Sequence, residues 1–253
     1  MNRSTTFWKR WSNMRIGSIL PITEVEGPWR RTAIWMQGCS IRCLYCCNPH
    51  YFDPTGGFDR DSVELADEII DGAALSKIEG ITLLGGEPFD QAADVERFLQ
   101  HLRARSSLGI ILFTGHSWET VRATPAFARV ADLCDLVKAG PFDRSKTPDT
   151  RRWIGSRNQT THSITDRYRS LAEHWDEHRC ELELHLRDDG ELVISGTPID
   201  WSFMTPVMPK ESKESKEPNG RKEMKELKET KEANDSNDSN KANGQNEQNR
   251  KSR

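Results

Sequence analysis

Short apolar runs and longer amphipathic ones alternate through most of the chain. Residues 32–37, 81–84, 110–113 and 136–139 are nearly continuous apolar runs of strand length, the mark of strands buried on both faces. Residues 62–70 and 92–102 carry apolar side chains at three- and four-residue spacing, which predicts amphipathic helices. Asp90 is placed to cap the second of these. Ser117 is placed to cap a third that runs to about Ala131. Strand and helix in alternation predict an α/β fold, a parallel sheet with helices packed on it. Leu182, Leu184 and Leu186, then Leu192 and Ile194, alternate on either side of Asp188-Asp189-Gly190. That pattern predicts an antiparallel β-hairpin closing the folded part.

The pattern stops near residue 209. From there to residue 253 only Met224, Leu227, Ala233 and Ala242 are apolar, and Lys-Glu repeats every three residues before giving way to an Asn/Asp/Ser run. A three-residue period places no stable apolar stripe on a helix, so the expectation is a disordered charged tail. The chain then divides into a polar leader (1–13), a folded body (14–208) and the tail (209–253). The body is short for an eight-unit barrel of about 250 residues. It predicts instead a partial, open (β/α) barrel of five or six strands.

Charge changes little in this picture. The tail holds 12 Lys/Arg and 10 Asp/Glu, and the rest of the chain 24 and 29. Neither part is basic enough to suggest a nucleic-acid partner. No apolar run approaches the roughly 18 residues of a membrane span, and residues 1–10 lack the apolar stretch of a signal peptide. The expectation is a cytoplasmic protein whose thiols stay reduced.

Against that background the six cysteines become candidate ligands. Cys39, Cys43 and Cys46 stand at C-x3-C-x2-C, spacings that let one short loop wrap thiolates around a metal centre. A structural zinc ion takes four protein ligands, whereas three thiolates on a [4Fe–4S] cluster leave one iron open for chemistry. From spacing alone both metals remain open: Cys47 is a conceivable fourth ligand, and Cys134 or Cys180 could complete a zinc site across the fold. His174 and His178, four apart beside Cys180, could form a separate site, while Cys134 sits in an apolar run and reads as a core thiol.

The loop follows the predicted strand at 32–37, and some 40 residues later the strand at 81–84 runs into Gly85-Gly86-Glu87-Pro88. Two glycines at a strand end let backbone approach a ligand closely. Ligands of α/β folds gather beyond the C-terminal strand ends, so both motifs are expected at one mouth. Carbonyls there can accept from an ammonium group, with Glu87 adding negative charge.

Together these residues resemble the radical S-adenosylmethionine (SAM) superfamily: Cys39, Cys43, Tyr45 and Cys46 match its C-x3-C-x-aromatic-C, and Gly85-Gly86-Glu87 its glycine-rich motif. More narrowly the chain resembles the activating enzymes of glycyl-radical enzymes, above all the short activase of anaerobic ribonucleotide reductase. Glu26-Gly27-Pro28-Trp29-Arg30-Arg31, Gln37-Gly38, Asn48-Pro49, Phe113-Thr114-Gly115-His116 and Gly155-Ser156-Arg157-Asn158-Gln159 are similar to segments of those activases. Trp29 stands where the family has glycine, His116 where tyrosine is common, and Ala139 where an aspartate is usual.

The resemblance implies a barrel of the radical SAM type. It implies a [4Fe–4S] cluster on Cys39, Cys43 and Cys46, and SAM chelated at the open iron. Gly85, Gly86 and Glu87 would hold the SAM amino group, and backbone at Tyr45 and Cys47 would border the adenine. It implies reductive SAM cleavage, a flavodoxin- or ferredoxin-type electron donor, and a glycyl-radical enzyme as protein substrate. Alternatives are another peptide or small-molecule substrate, or a non-enzymatic metal-binding module. Arg30, Arg31, Arg151 and Arg152 are either solvated or in contact with the SAM carboxylate or a partner loop. Asn158 and Gln159 either order the mouth or only cap a loop.

Overall fold

A computed structural model describes residues 13–147, 151–172, 182–186, 190 and 192–196. The charged tail, His174, His178, Cys180 and Asp188-Asp189 lie outside the described residues.

In chain order the elements are β1 (Asn13–Thr23), β2 (Arg31–Met36), β3 (Phe58–Asp61), α1 (Ser62–Ser76), β4 (Gly80–Gly85), α2 (Ala92–Arg105), β5 (Gly109–Thr114), α3 (Trp118–Ala123), α4 (Pro125–Asp132), β6 (Leu136–Ala139), β7 (Thr160–Ser163), α5 (Arg169–Ala172), β8 (Leu182–Leu186) and β9 (Leu192–Gly196). Seven strands form one sheet in the order β3-β1-β2-β4-β5-β6-β7, and β8 and β9 form a separate antiparallel hairpin. The pairs β2–β4, β4–β5 and β5–β6 are parallel; those involving β1, β3 and β7 are antiparallel.

The four apolar runs are the four parallel strands, as their composition requires. Every residue of β2 and β6 is buried. Alternation sends Ile34, Met36, Ile81, Leu83, Ile110 and Leu112 to one face, in the core with α1, α2 and α4. Ala33, Trp35, Leu84 and Phe113 go to the other face, in a smaller cluster. Helices therefore cover one face, and the site lies against the other. Among the described residues no helix is long and apolar enough to cross a membrane.

Four expectations need correction. The sheet has seven strands rather than five or six, because β1, β3 and β7 were not anticipated. β3 and β7 are four-residue polar edge strands, and β1 pairs from Asn13, a residue assigned to the leader. The expected single helix to Ala131 is two, α3 and α4. Pro125 lacks an N–H and forces Thr124 into an extended conformation (φ −98°, ψ 110°). Ser117 does cap α3, accepting from Thr120 N at 3.2 Å. Asp90 does not cap α2; that helix begins after a 3-10 turn over Pro88–Gln91, and the carboxylate of Asp90 is engaged elsewhere.

Candidate functional site

The loop that carries the cysteines is built from behind. Gln37 N donates to Arg15 O (2.9 Å) and Gly38 N to Tyr51 O (2.9 Å). The Gln37 amide donates to Asp53 O (2.6 Å). From the side the loop is gripped by β4 and its extension: Gly86 N donates to Met36 O and Glu87 N to Gly38 O, both at 2.8 Å. Asp90 completes the grip, accepting from Ser40 N (2.6 Å) and Ser40 Oγ (2.7 Å). Arg42 (φ 48°) and Tyr45 (φ 63°) take left-handed conformations that non-glycine residues rarely adopt. The loop is thus wound tightly by its surroundings.

The glycines explain themselves here. Gly85 has φ 97°, and a Cβ on it would fall 2.6 Å from Trp35 Cβ. A Cβ on Gly86 would collide with the Gly38 carbonyl oxygen. Their first task is to let the β4 end meet the cysteine loop main chain to main chain.

Cys39, Cys43, Tyr45, Cys46, Cys47, Gly85, Gly86 and Glu87 all line one cavity of about 480 Å³, within the roughly 300–1,000 Å³ of small-molecule sites. Trp35, Phe113, Phe142 and Trp153 give it aromatic walls, and Leu182, Ile194, Ser195 and Gly196 of the hairpin close one side. Glu183 fixes the hairpin by accepting from Thr23 Oγ1 (2.6 Å) and Glu24 N (2.8 Å).

The thiols are chemically unequal. Burial pushes Cys39 and Cys43 up, and neighbouring cysteine sulfurs add to this. A hydrogen bond from Cys47 brings Cys46 down to about 7, and raises Cys47 itself well above its ordinary value. Half-buried sulfurs that disfavour each other's charge suit a cationic metal centre, which relieves the repulsion. Among the described residues no three His, Cys, Asp or Glu side chains stand close enough to hold a single metal ion; the three thiols share a cavity wall instead. Cys134 is fully buried in the helix-side core, its thiol pushed up by burial.

Glu87 does more than add charge. It is 1% exposed. Its Oε1 accepts from Phe89 N (3.0 Å) and Thr114 Oγ1 (2.9 Å), and its Oε2 from Gly115 N (2.9 Å). It ties the β4 end to the β5 end. Burial lifts its pKa to about 7 against these three donors. Tyr45 is half exposed, with the Arg144 guanidinium 4.6 Å from its ring centre.

Among the arginines, the reading of Arg31 is corrected. Arg31 is neither solvated nor at the mouth: it is fully buried at the opposite end of the strands. It donates there to Thr82 Oγ1 (2.8 Å), Tyr168 OH (2.9 Å) and Gly109 O (3.2 Å). Arg30 forms a surface pair with Glu24. Arg152 stacks on Trp153, 4.7 Å from the ring centre, and Arg151 donates to Arg157 O (3.2 Å). Gln159 does order the mouth, accepting from Gly155 N and Ser156 N and donating to Gly140 O.

A model of the 4Fe-4S single cluster domain matches residues 25–162, more than half of the chain. The chain belongs to that family. The anaerobic ribonucleoside-triphosphate reductase-activating protein of Enterobacteria phage T4 is 27% identical over 158 residues, 60% of this chain and 96% of that protein. Its counterpart in Escherichia coli K12 is 28% identical over 149 residues, 57% of this chain and 95% of that one. A putative glycyl-radical enzyme activating enzyme of Haemophilus influenzae is 38% identical over 127 residues, covering 49% and 45%. The resemblance to radical SAM activating enzymes therefore holds at the level of family, with an iron–sulfur cofactor as its chemistry, and the chain is an enzyme of that type.

Among the cavity residues missed as site residues are Lys138, Glu26 and Ser195. Lys138 is 3% exposed and bonded to Thr161 Oγ1 (2.8 Å). A lysine inside an apolar strand-length run was a readable signal. Glu26 lay in a noted motif without an assigned role. Ser195 gave no signal, since nothing local says that a hairpin serine turns into a cavity.

Proposed function

We propose that the protein cleaves SAM reductively at a [4Fe–4S] cluster and abstracts a hydrogen atom, generating a glycyl radical on a partner enzyme such as anaerobic ribonucleotide reductase. The observation that carries this reading is the convergence of Cys39, Cys43 and Cys46 with Gly85 and Gly86 on one cavity at the C-terminal ends of parallel strands. When bound, the reduced cluster would supply one electron to SAM, and SAM the group that abstracts the hydrogen atom, with methionine as the leaving product. The three thiolates would hold the cluster. Backbone at Gly85 and Gly86 would accept from the methionine ammonium, with Glu87 fixing that backbone. Main chain at Tyr45 and Cys47 would border the adenine. The walls of Trp35, Phe113 and Trp153 would help to keep water from the reaction.

A flavodoxin- or ferredoxin-type protein in the cytoplasm would supply the electron. The sheet would act as the wall of a partial, open barrel within a catalytic body that runs from β1 to about residue 208, its open side admitting a protein substrate. The second reading, a different peptide or small-molecule substrate, is favoured by one observation: the hairpin walls the cavity yet lies outside residues 25–162.

Anaerobic reconstitution with iron and sulfide tests the proposal. The expected outcome is visible iron–sulfur absorbance, and 5′-deoxyadenosine on adding SAM and dithionite. Cys43→Ala should abolish both, and full activity in that variant would remove the cluster assignment. A glycine-centred radical by electron paramagnetic resonance on an added reductase selects the first substrate reading. 5′-Deoxyadenosine without that signal selects the second.

A further inference from the structure

The hairpin stands in the fold with its polarity reversed. Leu182, Leu184 and Leu186 of β8 and Leu192 and Ile194 of β9 share one face, with Leu184 paired to Ile194 and Leu186 to Leu192. They are 45% to 75% exposed. The other face carries Glu183, His185 and Ser195 beside Val193, all half-buried or buried. Glu183 bonds that face to Thr23 Oγ1 and Glu24 N at the end of β1, and Glu26 accepts the Gly196 N–H. An antiparallel pair with one solvated face ordinarily turns its apolar side inward. Here hydrogen bonds hold the polar side in, and the leucines face out.

Single exposed apolar side chains are ordinary, but five on one face of one hairpin mark a contact surface. Two of them show where it leads. Leu182 and Ile194 also line the cavity. The face therefore starts at the cavity and runs outward to Leu186 and Leu192, about 13 Å at strand spacing. None of its five side chains is charged, so an apolar occupant suits it better than an acidic or basic one. Five side chains are too few to hold a second copy of the chain, since a stable interface takes roughly 20–30 residues a side. They match what one extended segment covers. A substrate polypeptide whose reacting residue enters the cavity has to cross its rim, and this face adjoins that rim.

We propose that the outward face of the hairpin is the docking surface for the protein substrate, seating an apolar stretch of its chain beside the segment that enters the cavity. The proposal rests on the activating-enzyme reading above and deepens it. It assigns partner choice to a hairpin that lies outside residues 25–162 of the family match.

The test uses Leu184→Asp and Leu186→Asp in the full, anaerobically reconstituted chain, because neither side chain is among those that line the cavity. Two quantities are measured. One is 5′-deoxyadenosine formed with SAM and dithionite alone. The other is glycyl radical formed against the concentration of added anaerobic ribonucleotide reductase. The first should match the wild-type protein. In the second, each variant should raise KM for the reductase roughly ten- to hundredfold, as for one buried leucine exchanged for a charge, and keep kcat. Leu184→Met should keep the wild-type KM. Ligand-free melting temperatures should not fall, since both side chains are exposed. An unchanged KM would overturn the docking surface and leave the activating-enzyme reading standing. So would a melting temperature lowered by several degrees, which assigns the face to packing by the chain itself. A wild-type dimer that Leu184→Asp dissociates would overturn it too, in favour of a second copy. SAM cleavage by the wild-type protein with no radical on the reductase would remove the glycyl-radical reading and the surface with it. No SAM cleavage at all would remove the radical SAM reading as well.

Discussion

Two buried carboxylates sit at opposite ends of the parallel strands, and their protons are held in opposite ways. Asp135, 4% exposed at the N-terminal end, is pushed up by burial. It is pulled down further by Thr165 Oγ1 (2.6 Å), the Arg103 guanidinium (2.7 Å) and Ile110 N (2.8 Å), and ends below its ordinary value. Glu87 at the C-terminal end has as many hydrogen bonds but no cation, and burial carries it up to about 7. The differences are the deeper burial of Glu87 and the guanidinium beside Asp135. One end of the sheet is closed by charge pairing. The other is left without it, where the proposed charged ligand would be received.

The largest effect should come from breaking the closed end. Asp135→Ala strands Arg103 and two further donors, Thr165 Oγ1 and Ile110 N, and should cost about 3–5 kcal/mol in urea unfolding. The iron–sulfur content of the folded fraction should not change. If that variant instead lost its cluster while keeping its stability, the division between the ends would be wrong.

The second test is pH. Glu87 has a folded pKa above its ordinary 4.5, so its contribution is present at low pH and lost as pH rises from about 4.5 through 7. The loss is on the order of 2–3 kcal/mol. Glu26, raised to about 7 mainly by burial, acts in the same direction. Asp135 acts in the opposite direction: its contribution holds above its ordinary 3.8 and is lost as pH falls through its lowered value. Urea midpoints of the metal-free protein should peak in mild acid. Glu87→Gln should flatten the neutral limb only, and a slope unchanged in that variant would contradict the assignment.

The smallest effect on stability should be Gly86→Ala, about 1–3 kcal/mol. Its added methyl group would push the Gly38 carbonyl, and the cysteine loop with it, so cluster retention should fall more steeply than the melting temperature. A cluster as tightly held as in the wild-type protein would show that the loop absorbs the push.

These tests probe features that sequence patterns disclose unevenly. Ile81-Thr82-Leu83-Leu84 was legible as a strand because a buried parallel strand is apolar on both faces. Asn13–Thr23 was not, because β1 mixes buried, intermediate and exposed positions without strict alternation. Cys39, Cys43 and Cys46 were legible because local spacing carries their chemistry. Arg31 was misread because its partners, Thr82, Gly109 and Tyr168, are distant in sequence. Asp90 looked like a cap by position and is a clamp on Ser40 by geometry. Ser195 illustrates the limit, since the bond that holds its strand near the cavity, Gly196 N to Glu26, spans 170 positions of sequence.

The junction of Gly86 with Gly38 carries a further consequence. Where two stretches of main chain lock together without side chains, there is little for substitution to vary except the glycines themselves. The hairpin, held through the side chains of Glu26 and Glu183, has no such restriction. Mutational scanning should therefore meet an intolerant cysteine-loop junction and a more permissive hairpin rim, so that one side of the cavity can change without disturbing the loop that carries the cysteines.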